Sequence, residues 1–287
     1  VNWVMWNDRY VKEEEIMISI EDRGYQFGDG IYEVIRVYEG SLFTAQEHID
    51  RFFASAEKIG IVVPFTKDVF HKRMYDLVEM NEVRTGQVYV QITRGAAPRA
   101  HQYPDSSVPA VITAYTKEVA RPLTQFELGV AAKTIEDIRW LRCDIKSLNL
   151  LGNVMAKQEA IQANCFEAIL HRGDRVTEGS SSNMYGVKDG IVYTHPVDNY
   201  ILNGITRSVV KESCQRLRIP FVEEAMDLQD LSTMDEFFLT STTAEITPIV
   251  EIDGNSVGSG RPGNITRQLQ LAFEEKIALN EPSLYTI

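Results

Sequence analysis

A lysine set between apolar stretches is the first residue with an evident chemical use. In Arg139-Trp140-Leu141-Arg142-Cys143-Asp144-Ile145-Lys146-Ser147-Leu148-Asn149 the Lys146 amine stands at an element boundary. Held in a partly desolvated site, such an amine drops below its usual pKa of about 10.4 and frees a lone pair to attack a carbonyl. If the segment is extended, Arg142, Asp144 and Lys146 share a face. A solvated charged strand face competes with the chemical reading, and spacing alone prefers it.

A second constellation is Glu178-Gly179-Ser180-Ser181-Ser182-Asn183, a carboxylate beside small hydroxyl residues. Such a carboxylate can hold a heteroaromatic nitrogen protonated while the loop's hydroxyls and amides bind the rest of an anionic ligand, and a plain polar turn is the alternative. Leu202-Asn203-Gly204-Ile205-Thr206-Arg207 opens a helix whose free N–H groups would favour a phosphate or carboxylate, against Thr206 as a simple cap. Ser241-Thr242-Thr243-Ala244-Glu245 offers another hydroxyl-rich loop after a strand. Arg51 lies with His48 and Ser55 on the polar side of a helix, where a surface arginine would also lie. Arg99 and His101, two apart, could grip one carboxylate from an extended loop.

These groups need elements to position them. Strands are expected at Trp3–Trp6, Ile16–Ile20 and Ile31–Tyr38, the last turning at Glu39-Gly40 into Ser41–Thr44. Thr44-Ala45-Gln46-Glu47 has capping-box spacing, and Ile49, Phe52, Phe53 and Ala56 recur on one face of a helix that Gly60 stops. A helix at Asp68–Met80 and strands at Gln87–Thr93 and Ala110–Tyr115 follow. The aperiodic, Pro-containing stretch 119–124 is the expected linker. It separates a smaller N-terminal domain, 1–118, from a larger C-terminal one, 125–287. The latter should hold a strand near Leu128–Thr134, a helix from Asn149 to Ala163, and strands at Glu167–His171, Arg175–Glu178, Asn183–Val187 and Ile191–Thr194. Beyond these come a helix from Thr206, strands at Phe221–Glu224, Glu236–Thr240 and Ile246–Ile252, and a helix from Asn264. Strands interrupted by helices without a regular βαβ repeat indicate an α+β protein.

Composition removes several classes. With 29 Lys+Arg against 41 Asp+Glu among 287 residues, the formal charge is 29 − 41 = −12, which opposes nucleic-acid binding. Three scattered cysteines, Cys143, Cys165 and Cys214, suit a reducing cytoplasm and argue against disulfides or zinc. No long apolar run suggests secretion or membrane insertion, and Val1 in place of Met points to a processed or trimmed start. GxxxxGK[ST] and HExxH are missing, no GxGxxG follows an early strand, no GxSxG stands as a strand-to-helix elbow, and the five histidines are isolated, so a metal site has no support.

Taken in order, Asp22-Arg23-Gly24-Tyr25-Gln26-Phe27-Gly28-Asp29-Gly30-Ile31-Tyr32-Glu33, the Lys146 segment, Glu178–Asn183, Gly204–Arg207 and Ser241–Thr243 resemble the fold-type-IV pyridoxal-phosphate enzymes. Arg99-Ala100-His101 with Tyr32 is similar to the carboxylate trap of the D-amino acid aminotransferases within that fold. The likeness spans nearly the whole chain, except the tail after about Leu279. It implies two α/β domains with the active site at their interface, and pyridoxal 5′-phosphate as cofactor. Lys146 would form an aldimine with it and shuttle the Cα proton, while Glu178 would pair with the pyridine nitrogen. Arg51, Ile205, Thr206, Ser241 and Thr242 would hold the phosphate, and Leu202 would pack on the ring. Tyr32, Arg99 and His101 would bind the substrate carboxylate, the last two reaching across a homodimer.

The reaction so implied is ping-pong transfer from a D-alanine-like amino acid to a 2-oxoglutarate-like keto acid, giving pyruvate and D-glutamate, without nucleic acid, membrane or metal. A 4-amino-4-deoxychorismate lyase or an (R)-amine transaminase would use the same fold, and Arg99-x-His101 counts against both. A catalytically silent binding or scaffold protein, with Lys146 and Glu178 as a surface pair, is the remaining alternative.

Overall fold

Alternation of side chains decides the first sheet. Along GIYEVIRVY, Ile31, Ile35 and Val37 are fully buried on one side, and they bring the carboxylate of Glu33 into the core with them. The structure, a computed structural model, describes residues 2–280. Val1, with its expected processed start, and residues 281–287, the end of the expected C-terminal domain, lie outside the described residues. The chain divides into two compact units. Among the described residues, one comprises those up to Ala120 together with Ile145–Asn149 and Asn280, and the other Arg121–Asp144 and Leu150–Leu279.

The first unit contains β1 (Trp3–Trp6), β2 (Arg9–Lys12), α1 (Arg23–Phe27), β3 (Gly30–Tyr38), β4 (Ser41–Leu42), α2 (Ala45–Lys58), α3 (Lys67–Met80), β5 (Gly86–Thr93) and β6 (Val111–Glu118). Its sheet is antiparallel in the order β2-β1-β6-β5-β3-β4. The core combines Ile31, Ile35, Val88, Val90 and Ile92 of the strands with Ile49, Phe52, Phe70, Met74 and Leu77 of α2 and α3. Phe52 and Phe70 stack across the two helices with ring centroids 4.8 Å apart.

Two local expectations are corrected here. Ile16–Ile20 is not a strand, because β2 already pairs with β1 through a turn at Asn7-Asp8, and Met17 and Ile20 are exposed. Thr44 does not cap α2. It has φ 50°, and its hydroxyl donates to the Phe43 carbonyl at 2.7 Å. The helix forms anyway because its apolar stripe packs on the sheet. The short α1 carries no 3.6-residue apolar pattern in sequence. Asp22 caps it by accepting from Gly24 N at 2.8 Å, and Gly28, at φ 66°, ends it in the left-handed conformation that glycine adopts without strain.

The second unit contains α4 (Leu123–Leu128), β7 (Val130–Glu136), α5 (Leu151–Gln162), β8 (Glu167–Arg172), β9 (Arg175–Gly179), β10 (Asn183–Lys188) and β11 (Ile191–Thr194). It continues with α6 (Ile205–Leu217), β12 (Phe221–Glu223), β13 (Glu236–Ser241), β14 (Glu245–Ile252), β15 (Asn255–Ser256) and α7 (Asn264–Ala278). A mixed sheet runs β12-β11-β10-β13-β14-β7-β8-β9, with β15 added to β14. Its parallel pairs are β11 with β12, β14 with β7, and β7 with β8.

Between β7 and α5 the chain leaves the second unit for five residues, and these carry Lys146. They are not the continuation of an extended run: a turn at Cys143-Asp144 breaks it, and Arg142 folds back onto Asp144 at 2.9 Å. The expected common face of Arg142, Asp144 and Lys146 therefore does not form. Instead, Ser147 bridges antiparallel to Ile31, Tyr32 N donates to Lys146 O at 2.9 Å, and Leu148 N donates to Gly30 O at 3.0 Å. A Cβ on Gly30 would lie 2.5 Å from Ile92 O and 2.7 Å from Leu148 Cδ1. The Ile92 backbone belongs to the central ladder and cannot yield. Gly30→Ala should therefore lower stability by roughly 1–3 kcal/mol in urea unfolding, through overpacking under the Lys146 segment. An unchanged midpoint would show that the segment is not tightly seated.

Candidate active site

Lys146 is half-buried, and its Nζ lies 4.2 Å from the centroid of the Tyr32 ring. Its backbone N approaches Ser55 Oγ at 3.4 Å. One residue further along β3, Glu33 points to the opposite side of the sheet, toward α2. Arg51 grips it through Nε–Oε2 at 2.8 Å and Nη2–Oε1 at 2.7 Å, and His48 Nδ1 lies 3.0 Å from Oε1. Burial opposes ionisation of Glu33, but Arg51 and His48 overcome it and hold its carboxyl well below the usual range. Burial pushes His48 below its ordinary value, with Glu33 pulling the other way.

The side of α2 bearing His48, Arg51 and Ser55 is thus not a solvated face: His48 and Ser55 are buried, and Arg51 is held on a buried carboxylate. The signal was present in sequence. A glutamate at a core position of an apolar strand needs cations, and a helix offering His and Arg three apart supplies them.

Arg99 and His101 form a second cluster in this unit. The Arg99 guanidinium lies over the Phe27 ring at 4.4 Å, and the His101 ring is 5.7 Å from the same ring. Between them, the Ala100 carbonyl accepts from buried Arg23 at 2.7 Å, while Arg23 pairs with Asp29 at 2.7 Å. Asp29 is also forked by Arg94. Their contacts therefore gather the three expected carboxylate binders as two clusters, Tyr32 at Lys146 and Arg99 with His101 at Phe27.

In the second unit the end of β9 carries Glu178, which is 5% exposed. Arg139 Nη1 donates to Oε1 at 2.7 Å, and Leu202 N and Asn183 Nδ2 donate to Oε2 at 2.9 and 3.2 Å. Arg139 is itself forked by Asp137, which also accepts from Arg172 and Thr177. Burial pushes the Glu178 carboxyl up to about 7, against the pull of Arg139 and Leu202 N. Sequence reasoning missed Asp137 and Arg139. Their only signal is the Asp-x-Arg spacing directly after β7, which puts both side chains on one side of an extended segment.

The three serines after Glu178 turn to a carboxylate of their own chain. Ser180 Oγ, at 2.5 Å, donates to Glu167 Oε1, while Ser181 and Ser182 Oγ, at 3.2 and 3.0 Å, donate to Oε2. They satisfy a carboxylate that is 2% exposed, so the expected role of these hydroxyls in binding a ligand is corrected.

Asn183 ties the remaining groups together. It donates to Leu202 O at 2.9 Å as well as to Glu178, and in the ladder it pairs with Thr240, directly before Ser241. A Cβ on Gly204 would lie 2.2 Å from Asn183 Oδ1, so this position has room only for glycine. Gly204, not Thr206, is the N-cap of α6, and no side chain caps it, which leaves the first N–H groups of Ile205 and Thr206 as anion donors. Ser241 Oγ accepts from Ala244 N at 3.0 Å, leaving its hydroxyl hydrogen to donate elsewhere. Among the described residues, no cluster of His, Cys, Asp or Glu is placed to hold a metal ion, and no helix is long and apolar enough to cross a membrane.

An amine, a buried carboxyl poised near neutrality, and amide and hydroxyl donors at a helix N-terminus are the groups that a phosphorylated heteroaromatic aldehyde requires. Residues 30–252 match the amino-transferase class IV family. A D-alanine aminotransferase of Staphylococcus epidermidis is 54% identical over 274 residues, covering 96% of this chain and 97% of that one. The branched-chain amino acid aminotransferase of Escherichia coli shares the fold, with a TM-score of 0.93 at 24% identity over 99% of this chain and 97% of that chain. A T.th. branched-chain amino acid aminotransferase, solved in complex with N-(5′-phosphopyridoxyl)-L-glutamate, gives a TM-score of 0.89 at 25% identity over 98% of this chain and 95% of that one. The chain belongs to the class IV aminotransferases, and its cofactor is pyridoxal 5′-phosphate.

The elevated Glu178 pKa has a stability consequence. Its carboxyl titrates at 4.5 when unfolded and near 7 when folded, so the folded state keeps the proton longer and loses stability as pH rises between those values. In cofactor-free protein, the stability of wild type relative to Glu178→Gln should fall from pH 5 to pH 7.5. A difference that is flat or rises across this window in chemical unfolding would contradict the assignment.

Proposed function

We propose that the protein transfers the amino group of a D-amino acid, D-alanine or one like it, to an α-keto acid such as 2-oxoglutarate, yielding pyruvate and D-glutamate. The observation that carries this reading is the 54% identity to a D-alanine aminotransferase across 96% of the chain. When bound, pyridoxal phosphate supplies the electron sink for the pair released at the substrate Cα and carries the amino group between the two substrates.

The chain's own residues do the rest. Lys146 Nζ would hold the cofactor at rest and, once displaced by the incoming substrate amine, would take up and return the proton of the substrate Cα. Tyr32, whose ring lies beside that amine, lines the path of the proton. Glu178 keeps a proton on the pyridine nitrogen: a carboxyl near neutrality, steadied by Arg139, shares a proton with a basic ring nitrogen better than water does. Leu202 packs on the ring while its N–H orients Glu178. Arg51, the N–H groups of Ile205 and Thr206, and the hydroxyls of Ser241 and Thr242 bind the phosphate.

Arg99 and His101 bind the substrate carboxylate together with Tyr32, in our reading from the partner subunit of a homodimer. This agrees with a loop whose contacts in its own chain lead to Phe27. A smaller domain, 1–118, a linker, 119–124, and a larger cofactor-binding domain, 125–287, in a cytoplasmic enzyme complete the proposal.

A carboxylate pinned on one side and a base fixed on one ring face admit one hydrogen of Cα, so the enzyme should use D-alanine and leave L-alanine unreacted, with parallel double-reciprocal plots. Arg99→Ala removes a charge-assisted bond and should lower kcat/KM for D-alanine by roughly 10- to 100-fold. Equal turnover of both enantiomers would refute the D-amino acid assignment. Normal kinetics in Arg99→Ala would refute the trap.

A further inference from the structure

The turn between β13 and β14 has a peculiarity on its far side. Ser241 and Glu245 are the last pair of the ladder, closing the loop Thr242-Thr243-Ala244. Glu245 has φ 47°, in the left-handed region that a residue with a Cβ adopts only under constraint. Its side chain is buried, and both carboxylate oxygens are forked by Arg121, through Nε–Oε1 at 2.8 Å and Nη2–Oε2 at 2.6 Å. Arg121 in turn reaches Glu274 of α7 with Nη2–Oε1 at 2.5 Å and lies over the Phe126 ring at 5.7 Å. Gln270 of α7 donates to Ile246 O at 2.9 Å, so the start of β14 is held from two sides.

The consequence falls on the near side of the turn. Where Glu245 sits decides where Ala244 N sits, and that amide is the donor that turns the Ser241 hydroxyl outward. Thr247 Oγ1 completes the clamp by donating to Ala244 O at 2.7 Å. We propose that Arg121 is a positioning residue for the cofactor phosphate: by forking Glu245 it fixes the left-handed turn that presents the Ser241 and Thr242 hydroxyls. This rests on the assignment of that turn to the phosphate. A planar guanidinium is needed because it holds both carboxylate oxygens in one orientation, whereas an ammonium is a point charge that leaves the carboxylate free to rotate.

The test is binding by the full-length protein, stripped of cofactor and titrated with pyridoxal phosphate and, in parallel, with pyridoxal, which has no phosphate. Arg121→Lys should weaken pyridoxal phosphate about tenfold while leaving pyridoxal unchanged, equivalent to about one well-formed charge-assisted bond. Glu274→Ala, which removes the outer partner and leaves the fork on Glu245, should leave both constants unchanged. A folded Arg121→Lys whose two constants stay at wild-type values, or weaken equally, overturns the proposal. If Arg121→Lys does not fold, Glu245→Gln is judged by the same criterion. Ser241→Ala examines the underlying assignment separately: if it does not weaken pyridoxal phosphate relative to pyridoxal, the turn does not bind the phosphate and the role of Arg121 falls with it.

Discussion

Two backbone hydrogen bonds, Tyr32 N to Lys146 O and Leu148 N to Gly30 O, underlie the chemistry proposed for this protein, because they fix a lysine that lies in no helix or strand. Ile145–Asn149 is flanked in sequence by the second unit yet packs with the first. Ile145 enters the first core, Ser147 bridges β3, and Asn149 donates to Gly28 O. The seat depends on Gly30 having no side chain, and it sets the Lys146 amine against Tyr32. A base that is to choose one hydrogen of a substrate must have one position, and a loop lysine acquires one only by borrowing the rigidity of a strand.

Buried carboxylates organise the rest, and each is enclosed differently according to what it does. Glu33 is held ionised by Arg51 and His48, and it presents Arg51 in one orientation. Glu167 is satisfied by three serine hydroxyls and fixes the loop after Glu178. Glu245 is forked by Arg121 and fixes a turn. Glu178 combines deep burial with a pKa raised to about 7, whereas Glu33 is held well below the usual range. That difference separates a structural carboxylate from one fit to manage a proton. Removing one partner of such a pair costs about 3–5 kcal/mol, so these enclosures are obligations of the fold as much as of the site. The net charge of −12 is a sum over the whole chain and leaves room for local positive potential, such as that of the α6 N-terminus, which no side chain caps.

Long periodic elements were legible in the sequence. Helices α2 and α3 and strands β3, β5, β10 and β14 lie within a residue or two of their expected positions, because a continuous apolar stripe or alternation has only one way to be buried. Ile16–Ile20 was misread since a short apolar run looks like a strand whether or not a partner strand is free to pair with it. Thr44 had the right type and spacing for a cap but the wrong backbone conformation, which no spacing rule reveals. Lys146 and Glu178 stood out by type and context. Asp137, Arg139 and Glu167 did not: beyond their own pairing, Asp137 and Arg139 meet Arg172 and Glu178 at separations of 35 and 39 residues, and Glu167 meets its first serine 13 residues on, so only tertiary packing brings these groups together. The serine loop misled for the same reason, since its hydroxyls answer to a carboxylate on the neighbouring strand.

The central claim is that Lys146, seated on β3, is the residue that bonds the cofactor. The direct measurement is borohydride reduction of the purified, cofactor-loaded protein, followed by proteolysis and mass spectrometry of the labelled peptide. The account predicts a single reduced pyridoxyl phosphate adduct, on Lys146, with loss of the yellow colour. An adduct on another lysine, or full bleaching with no adduct on the peptide containing Lys146, would contradict it.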